Sequence, residues 1–124
     1  MRMSEQAQGP VVVTVAIYPT KGEAGQTLDA ADIEAQGLAG DRRKKRPVHL
    51  VGAGETPETT RANLFLDLTD DQLGALLEHT VRVGDAALFI SERPTGCPGV
   101  YAVVAESGRV AVGDHLTILP GSPA

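Results

Sequence analysis

Hydrophobic and polar positions alternate along much of this chain, and their period indicates strands in most segments. Val11–Tyr18 (VVVTVAIY) is an almost unbroken apolar run rich in β-branched residues, which is typical of a strand covered on both faces. Ala62–Leu68 (ANLFLDL) alternates instead, with leucines on one face and Asn63, Phe65 and Asp67 on the other. The first half of the chain therefore predicts at least two strands that share a core.

Two further segments of the first half also favour strands. Pro47–Val51 (PVHLV) predicts a short strand in which His49 and Val51 share one face and the two apolar residues between and before them share the other. Thr27–Gln36 (TLDAADIEAQ) is compatible with a helix, but strand is the preferred interpretation. Gly37–Asp41 (GLAGD) predicts a turn.

One short helix interrupts the strands. Thr69 and Gln72 have the spacing of a capping box, in which each side chain binds the other residue's backbone N–H. The predicted helix covers Asp70–His79, and three leucines form its apolar stripe at positions i, i+3 and i+4: Leu73, Leu76 and Leu77.

The C-terminal half contains an internal echo. Val81–Ile90 and Val110–Leu119 both begin V-x-V-G-D and continue with an apolar run, which predicts two similar β-turn-β units. Between them, Gly99–Glu106 predicts a strand with a turn at Ser107 and Gly108, so the end of the chain is expected to form a closing hairpin. The sequence thus predicts one mostly β domain of barrel type over residues 11–120, with one short helix, a disordered segment 1–10 and a tail 121–124.

Composition and charge narrow the classes of function. The chain has 124 residues, 3% aromatic residues, no Trp and a formal net charge of −5. These values argue against nucleic-acid binding, which needs a basic surface and, for single strands, aromatic stacking platforms. A single cysteine excludes an intrachain disulfide and a Cys-based zinc finger. Without a signal-peptide pattern or an apolar run of roughly 20 residues, a cytoplasmic protein with no membrane partner is expected.

Three features are candidates for chemistry. Cys97 lies between Gly96 and a Pro-Gly turn, and is either a reactive thiol or a small buried hydrophobic residue. The basic run Arg42–Arg46 (RRKKR) is either a solvated loop or an anion site, with a nucleic-acid patch as a weaker third interpretation. His49 is either a hydrogen-bonded structural residue or a ligand or base.

Five segments in this order resemble the MOSC family, the domain found at the C-terminus of molybdenum-cofactor sulfurases and in small stand-alone bacterial proteins. The resemblance covers roughly Val13–Leu119. The segments are GLAGDRR at Gly37–Arg43, RPVHLV at Arg46–Val51, RANLFLD at Arg61–Asp67, VRVGDAALFISERPTGCPG at Val81–Gly99, and GVYAVVAESGRVAVGDHLTI at Gly99–Ile118.

The resemblance implies a MOSC-like β-barrel that binds the molybdenum cofactor (molybdopterin) or handles sulfur for it. It assigns Cys97 as the catalytic residue, either as a molybdenum ligand or as a persulfide carrier. A soft thiolate suits both roles, and nearby cations favour the thiolate; Arg93 lies four residues before Cys97. The cofactor-binding residues that it implies are Arg42, Arg43, His49, Arg61 and Asn63.

The implied activity is that of a molybdenum-dependent oxidoreductase, such as a reductase of N-hydroxylated compounds, or of a sulfur transferase. The expected partner is the molybdenum cofactor or a sulfur donor protein. The chain departs from the family in having Ala62 where Glu is frequent, a short loop from His49 to Arg61, and a strand directly after the Cys97-Pro98-Gly99 turn. These short loops predict a pocket that is shallow, incomplete, or finished either by another subunit, as in a homodimer, or by another protein. The alternative is a degenerate, non-catalytic MOSC-like binding or interaction module.

Overall fold

The computed structural model describes residues 10–20, 22–42, 47–96 and 98–120. The predicted terminal segments 1–10 and 121–124 lie outside these residues, except for Pro10. Within the described ranges the protein is mostly β, with one short helix, as predicted. The strands are β1 Val12–Ile17, β2 Gln26–Leu28, β3 Ala30–Glu34, β4 Gly37–Leu38, β5 Val48–Val51, β6 Leu64–Leu66, β7 Thr80–Val83, β8 Ala86–Glu92, β9 Val100–Glu106, β10 Gly108–Ala111 and β11 Leu116–Ile118; the helix α1 is Asp70–Gly74.

Eight of the strands form one curled sheet in the order β11-β7-β8-β9-β5-β6-β1-β2. Neighbouring strands are antiparallel except β5 and β6, which are parallel. The start of β1 reaches back to the first strand of this order: Val11 forms a β-bridge with His115, and Val12 N–H donates to the Asp114 carbonyl at 2.8 Å. The sheet thereby curls into the barrel-like form that the many short strands predicted.

The inner face of this sheet carries the main hydrophobic core. Alternate residues of the central strands reach it, and the predicted leucine face of the segment 62–68 is part of it. The three leucines of the predicted stripe also contribute to it: Leu73 and Leu76 are core members, and Leu77 packs against the core. Full burial of a Leu or Val side chain stabilises the fold by roughly 1.5–3 kcal/mol. The central members of this hydrophobic core are Val15, Val48, Leu50, Leu64, Leu66, Leu88, Ile90, Val100 and Ala102.

The helix is shorter than predicted. Its capping box is present: the Thr69 side chain accepts from Gln72 N–H, and the Gln72 side chain accepts from Thr69 N–H. The helix nevertheless ends at Gly74, and the predicted extension to His79 is wrong. Glycine is a poor helix former because its backbone loses the most freedom on folding. The residues that follow form turns with i to i+3 hydrogen bonds instead.

The predicted closing hairpin is also wrong. The first V-x-V-G-D unit is a hairpin, because β7 and β8 pair with each other. The second unit is not, because β10 pairs with β3 in a separate sheet of order β10-β3-β4, while β11 pairs with β7. Between them, Gly113 N–H donates to the Val12 carbonyl at 2.8 Å. The segment between β10 and β11 thus contacts β1, and the two strands do not pair as the hairpin that the sequence pattern predicted.

The same topology explains the structure of residues 99–108, which lie between the two V-x-V-G-D units. β9 and β10 follow one another with only Ser107 between them, and each pairs with different strands. The predicted turn tip at Ser107 and Gly108 is therefore a crossing from one sheet to the other.

Among the described residues, no helix has the length and apolar character needed to cross a membrane.

Candidate functional site

The outer face of the four strands β1, β6, β5 and β9 collects polar and aromatic side chains. In β5, Val48 and Leu50 belong to the inner core, so His49 lies on the outer face with Val51, as the alternation predicted. His49 pairs directly across the sheet with Tyr101 of β9. We call the residues gathered on this face the outer-face cluster: Tyr18, Asp41, His49, Asn63 and Tyr101.

Asn63 is the most deeply buried polar residue of the cluster, with 0% of its surface exposed. Its side-chain oxygen accepts from the His49 backbone N–H at 3.1 Å. Its amide nitrogen donates to the Ala16 carbonyl at 3.2 Å and to Asp41 Oδ2 at 3.0 Å. Asn63 therefore ties β5, β1 and the loop after β4 to the start of β6. The buried amide is held within the protein by hydrogen bonds on both its oxygen and its nitrogen.

Asp41 fixes the loop that leads into the basic run. Its second oxygen, Oδ1, accepts from Tyr18 N–H at 2.7 Å, so the carboxylate joins the end of β1 to Asn63. The next residue, Arg42, is exposed and thus begins at a fixed point beside the cluster. Arg43 and the rest of the basic run, residues 43–46, lie outside the described residues.

Tyr18 is buried against the segment that precedes β6. Its hydroxyl donates to the Ala62 carbonyl at 2.8 Å. Burial raises the pKa of Tyr18 to about 12, and the nearby charge of Arg61 acts in the opposite direction. The phenol is therefore protonated at neutral pH and serves as a hydrogen-bond donor within the fold.

Arg61 lies on the exposed side of Tyr18. Its guanidinium carbon is 4.5 Å from the centre of the Tyr18 ring, a cation–π contact. Its Nη1 donates to the Glu23 carbonyl at 2.8 Å. The exposed guanidinium is thus held over an aromatic ring at the margin of the cluster. A guanidinium has five N–H donors, and the contact with the Glu23 carbonyl uses one of those of Arg61.

His49 connects the cluster to the chain around Cys97. Its Nε2 is 2.8 Å from the Pro98 carbonyl oxygen. A carbonyl can only accept, so Nε2 carries the proton in this contact. The His49 ring also packs on Tyr101, with the ring centres 4.9 Å apart and the planes tilted by 54°. The residue directly after Cys97 is therefore bound to the cluster, while Cys97 itself lies outside the described residues.

The structure brings together part of the predicted set. His49 and Asn63 share the cluster, and Arg42 and Arg61 lie at its exposed side. The sequence prediction missed Tyr18, Asp41 and Tyr101. For Tyr18 and Tyr101, the alternation of β1 and β9 gave a usable signal, because both residues follow the phase opposite to the inner-core positions. For Asp41, the only sequence signal was its position at the end of the predicted GLAGD turn.

No group of three or more His, Cys, Asp or Glu side chains suited to holding a metal ion occurs in residues 10–20, 22–42, 47–96 and 98–120.

Comparison with known proteins gives a likeness of fold. No protein-family model matches the chain, and no curated protein matches it. Among solved structures, YuaD from Bacillus subtilis superposes with a TM-score of 0.70 at 17% identity, over 86% of this chain and 93% of that one. YiiM from Geobacillus stearothermophilus gives a TM-score of 0.70 at 13% identity, over 93% of this chain and 79% of that one.

A third structure, of a hypothetical protein, gives a TM-score of 0.71 at 20% identity, over 92% of this chain and 68% of that one. At these identities the likeness establishes a shared fold.

Proposed function

We propose that this protein is a MOSC-like domain that binds the molybdenum cofactor, or carries sulfur for it, through Cys97. The observation that carries the proposal is the hydrogen bond from His49 to the carbonyl of Pro98, which attaches a built polar cluster to the residue after the only cysteine. The fold supports it, because YuaD and YiiM are MOSC-domain proteins. The five ordered segments of the sequence point to the same family.

The cations at the margin of the cluster suit an anionic cofactor. Arg61 is exposed and fixed over Tyr18, and Arg42 is exposed beside Asp41, whose carboxylate binds the Tyr18 backbone. A guanidinium offers paired donors that match the oxygens of a phosphate. Arg42 and Arg61, with Arg43, would hold the phosphate of molybdopterin.

The thiolate of Cys97 would be the protein's ligand to molybdenum, since soft sulfur donors bind such metals well. When bound, the cofactor supplies redox chemistry at its metal. The protein's own residues would orient it. His49 fixes the backbone next to Cys97, and Asn63 fixes the backbone N–H of His49.

The buried members of the cluster are better suited to holding the backbone of the site in place than to touching the ligand. Asn63 is fully buried and hydrogen-bonded on both its oxygen and its nitrogen within the protein. Its part in the proposed site is therefore to hold His49, Asp41 and β1 in register, while the exposed arginines meet the ligand.

Sulfur transfer is the second form of the proposal and uses the same thiolate. The Cys97 thiolate attacks the outer sulfur of a protein persulfide. The donor's S–S bond breaks, a new S–S bond forms on Cys97, and the donor leaves as a thiolate. This exchange needs no oxidant. The partner would be a sulfur donor protein that carries a persulfide.

A non-catalytic binding module is the rival function, and one observation favours it. The connection from Cys97 to the next strand is short, because β9 begins at Val100, three residues after the cysteine. So short a connection favours a shallow surface over a deep pocket within one copy of the chain. In this case the arginines would serve an interaction surface.

The molybdenum and pterin contents of the protein purified from a cofactor-producing host test the proposal. Near-stoichiometric molybdenum and pterin in the wild type, lost in Cys97→Ala, is expected for cofactor binding. Persulfide on Cys97 without molybdenum supports the sulfur-transfer form. Absence of molybdenum, pterin and persulfide from the wild type contradicts both forms and favours the interaction module.

A further inference from the structure

The outer face of the eight-stranded sheet is covered towards β1 and exposed towards β8 and β9. On β5 and β6, the outer residues Val51 and Phe65 belong to a second buried cluster and are 0% and 3% exposed. On β9, Val103 is 42% exposed, and its cross-strand neighbour Phe89 on β8 is partly exposed. Both are outer residues, because their neighbours along each strand pack in the inner core. An aromatic and a β-branched side chain therefore form an apolar pair on an accessible part of the sheet.

Two opposite charges stand beside this apolar pair, one on each side of β8. Arg82 of β7 and Glu106 of β9 are both cross-strand neighbours of Ala87. Arg82 Nη1 lies 3.2 Å from Glu106 Oε1 and donates to the Asp85 carbonyl at 3.1 Å. The ion pair thus crosses over Ala87, which is 2% exposed, while the charged side chains remain 36% and 63% exposed.

A β-bulge places Glu106 on the outer face. The register of β8 and β9 shifts between Ala87 and Leu88, and Ala105 is the extra residue of β9. Without this extra residue, alternation along β9 from Val104 would direct Glu106 towards the inner core. Bulges re-aim side chains in this way. The irregularity of β9 thus brings an anion to the outer face, across β8 from the cation. We call Arg82, Phe89, Val103 and Glu106 the β7–β9 surface.

The β7–β9 surface is complementary to itself. A twofold axis that runs parallel to β8, between two facing copies, exchanges the β7 side for the β9 side. Arg82 of each copy then faces Glu106 of the other, and the two Phe89 side chains meet near the axis. Such reciprocal pairing is what an isologous contact requires, because each residue pair occurs twice. An apolar centre with an aromatic residue, bordered by charged groups that include an arginine, is also the usual composition of a protein interface.

We propose that two copies of this chain associate through the β7–β9 surface as a symmetric dimer. The balance of charge favours a second copy as the partner. A strongly charged partner would need a surface of the opposite sign, whereas Arg82 and Glu106 carry one charge of each sign. This association does not depend on the proposed cofactor chemistry, since Arg61 lies over Tyr18, at the end of β1.

Sedimentation equilibrium of the full chain over a range of concentrations measures the dissociation constant of the dimer. We expect the wild type to dimerise. Arg82→Glu and Glu106→Arg should each raise the dissociation constant about tenfold or more, because the homodimer of either variant sets like charges against each other twice. An equimolar mixture of the two variants should bring the constant back to within about threefold of the wild type, since their heterodimer has opposite charges at both contacts.

The mixture separates contacts between copies from effects within one copy. Each variant also loses the ion pair of its own chain, and mixing cannot restore that pair. The matched control is the ion pair Arg109–Asp32, which has the same 3.2 Å length and joins β10 to β3. Arg109→Glu and Asp32→Arg change the net charge by the same amounts as the test variants. They should leave the dissociation constant within about threefold of the wild type.

Val103→Lys tests the apolar centre and does not require the charge variants to fold. Because Val103 is 42% exposed, the substitution should leave the melting temperature of the dilute protein unchanged and raise the dissociation constant about tenfold. Thermal melting of every variant at the same dilution identifies any that do not fold. If one charge variant is unfolded, Val103→Lys provides the test.

Three results would overturn the proposed dimer. A wild type that stays monomeric at every concentration excludes a second copy and leaves the β7–β9 surface to a different protein. A dimer that folded Val103→Lys and the charge variants do not weaken uses another face of the molecule. Weakening by both charge variants without recovery in their mixture contradicts the pairing of Arg82 with the other copy's Glu106.

Discussion

The inner and outer faces of β1, β6, β5 and β9 differ in kind although they are built from the same four strands. Inside lie aliphatic side chains such as Leu50 and Leu64, fully buried in one core. Outside lie His49, Asn63 and Tyr101, joined to one another by hydrogen bonds and ring contact across three strands. Because side chains alternate along a strand, each of these strands stabilises the barrel with one set of residues and builds the candidate site with the next.

This comparison shows what holds the outer-face cluster in place. The polar residues of the outer face stand on backbone that the inner core already fixes. The hydrogen bonds among the polar side chains then align strands that the core has already ordered, so forming them costs little further loss of chain entropy. The inner face should therefore dominate stability, and the outer face should contribute less to stability and more to function.

The largest loss of stability is expected on the inner face. Leu50 is 0% exposed within the main core, and Leu50→Ala should lower the free energy of unfolding by about 2–5 kcal/mol through lost burial and a residual cavity. Val103→Ala is a matched control on β9, because Val103 is 42% exposed; its effect should stay within about 0.5 kcal/mol. Urea unfolding measures both. Equal effects of the two substitutions would contradict the assignment of the inner face.

An intermediate loss is expected for Asn63→Ala. The substitution leaves the buried His49 N–H without its side-chain acceptor and removes the link to Asp41. It should lower the free energy of unfolding by about 2 kcal/mol, the order found for an unsatisfied buried polar group. Asn63→Asp should be no better tolerated, since it sets two carboxylates against each other. If urea unfolding shows that Asn63→Ala leaves the free energy of unfolding unchanged, this residue does not hold the cluster together.

The smallest expected effect is that of Tyr18→Phe, and it depends on pH. Loss of the hydrogen bond to Ala62 should cost about 1 kcal/mol at pH 7. The pKa of Tyr18 is raised to about 12 in the fold from an ordinary value of 10.0. The contribution of the neutral phenol is therefore complete below pH 10 and lost as the pH rises towards about 12.

Thermal melting of the wild type and Tyr18→Phe from pH 7 to pH 12 checks this sign. The difference in melting temperature between the two proteins should be constant up to about pH 10 and then shrink. A difference that grows with alkaline pH would contradict the burial of a protonated phenol.

The strands could be predicted from the sequence because their signal is local. The phase of Val48, His49, Leu50 and Val51 separates the two faces correctly. The capping box at Thr69 likewise located the start of the helix. Each of these features depends on a few adjacent residues, and the tertiary structure agrees with the local preference.

The strand pairing found in place of the closing hairpin, and most of the cluster, could not be predicted because their contacts are distant in sequence. The same V-x-V-G-D pattern gives a hairpin at β7–β8 and a change of sheet at β10–β11, where Gly113 binds Val12 near the start of the chain. Asp41 meets Tyr18 and Asn63 across more than twenty residues. Such choices of partner depend on the closed topology and have no local signature.

The most direct test of the outer face as a functional surface is the molybdenum-to-protein ratio after purification from a cofactor-producing host. Arg42→Ala with Arg61→Ala removes two exposed cations beside the cluster, and Arg82→Ala with Arg109→Ala removes two from surface ion pairs elsewhere. The account predicts molybdenum and pterin in the wild type and the second variant, and their loss from the first, which should remain folded. Equal contents in both variants, or none in the wild type, would contradict it.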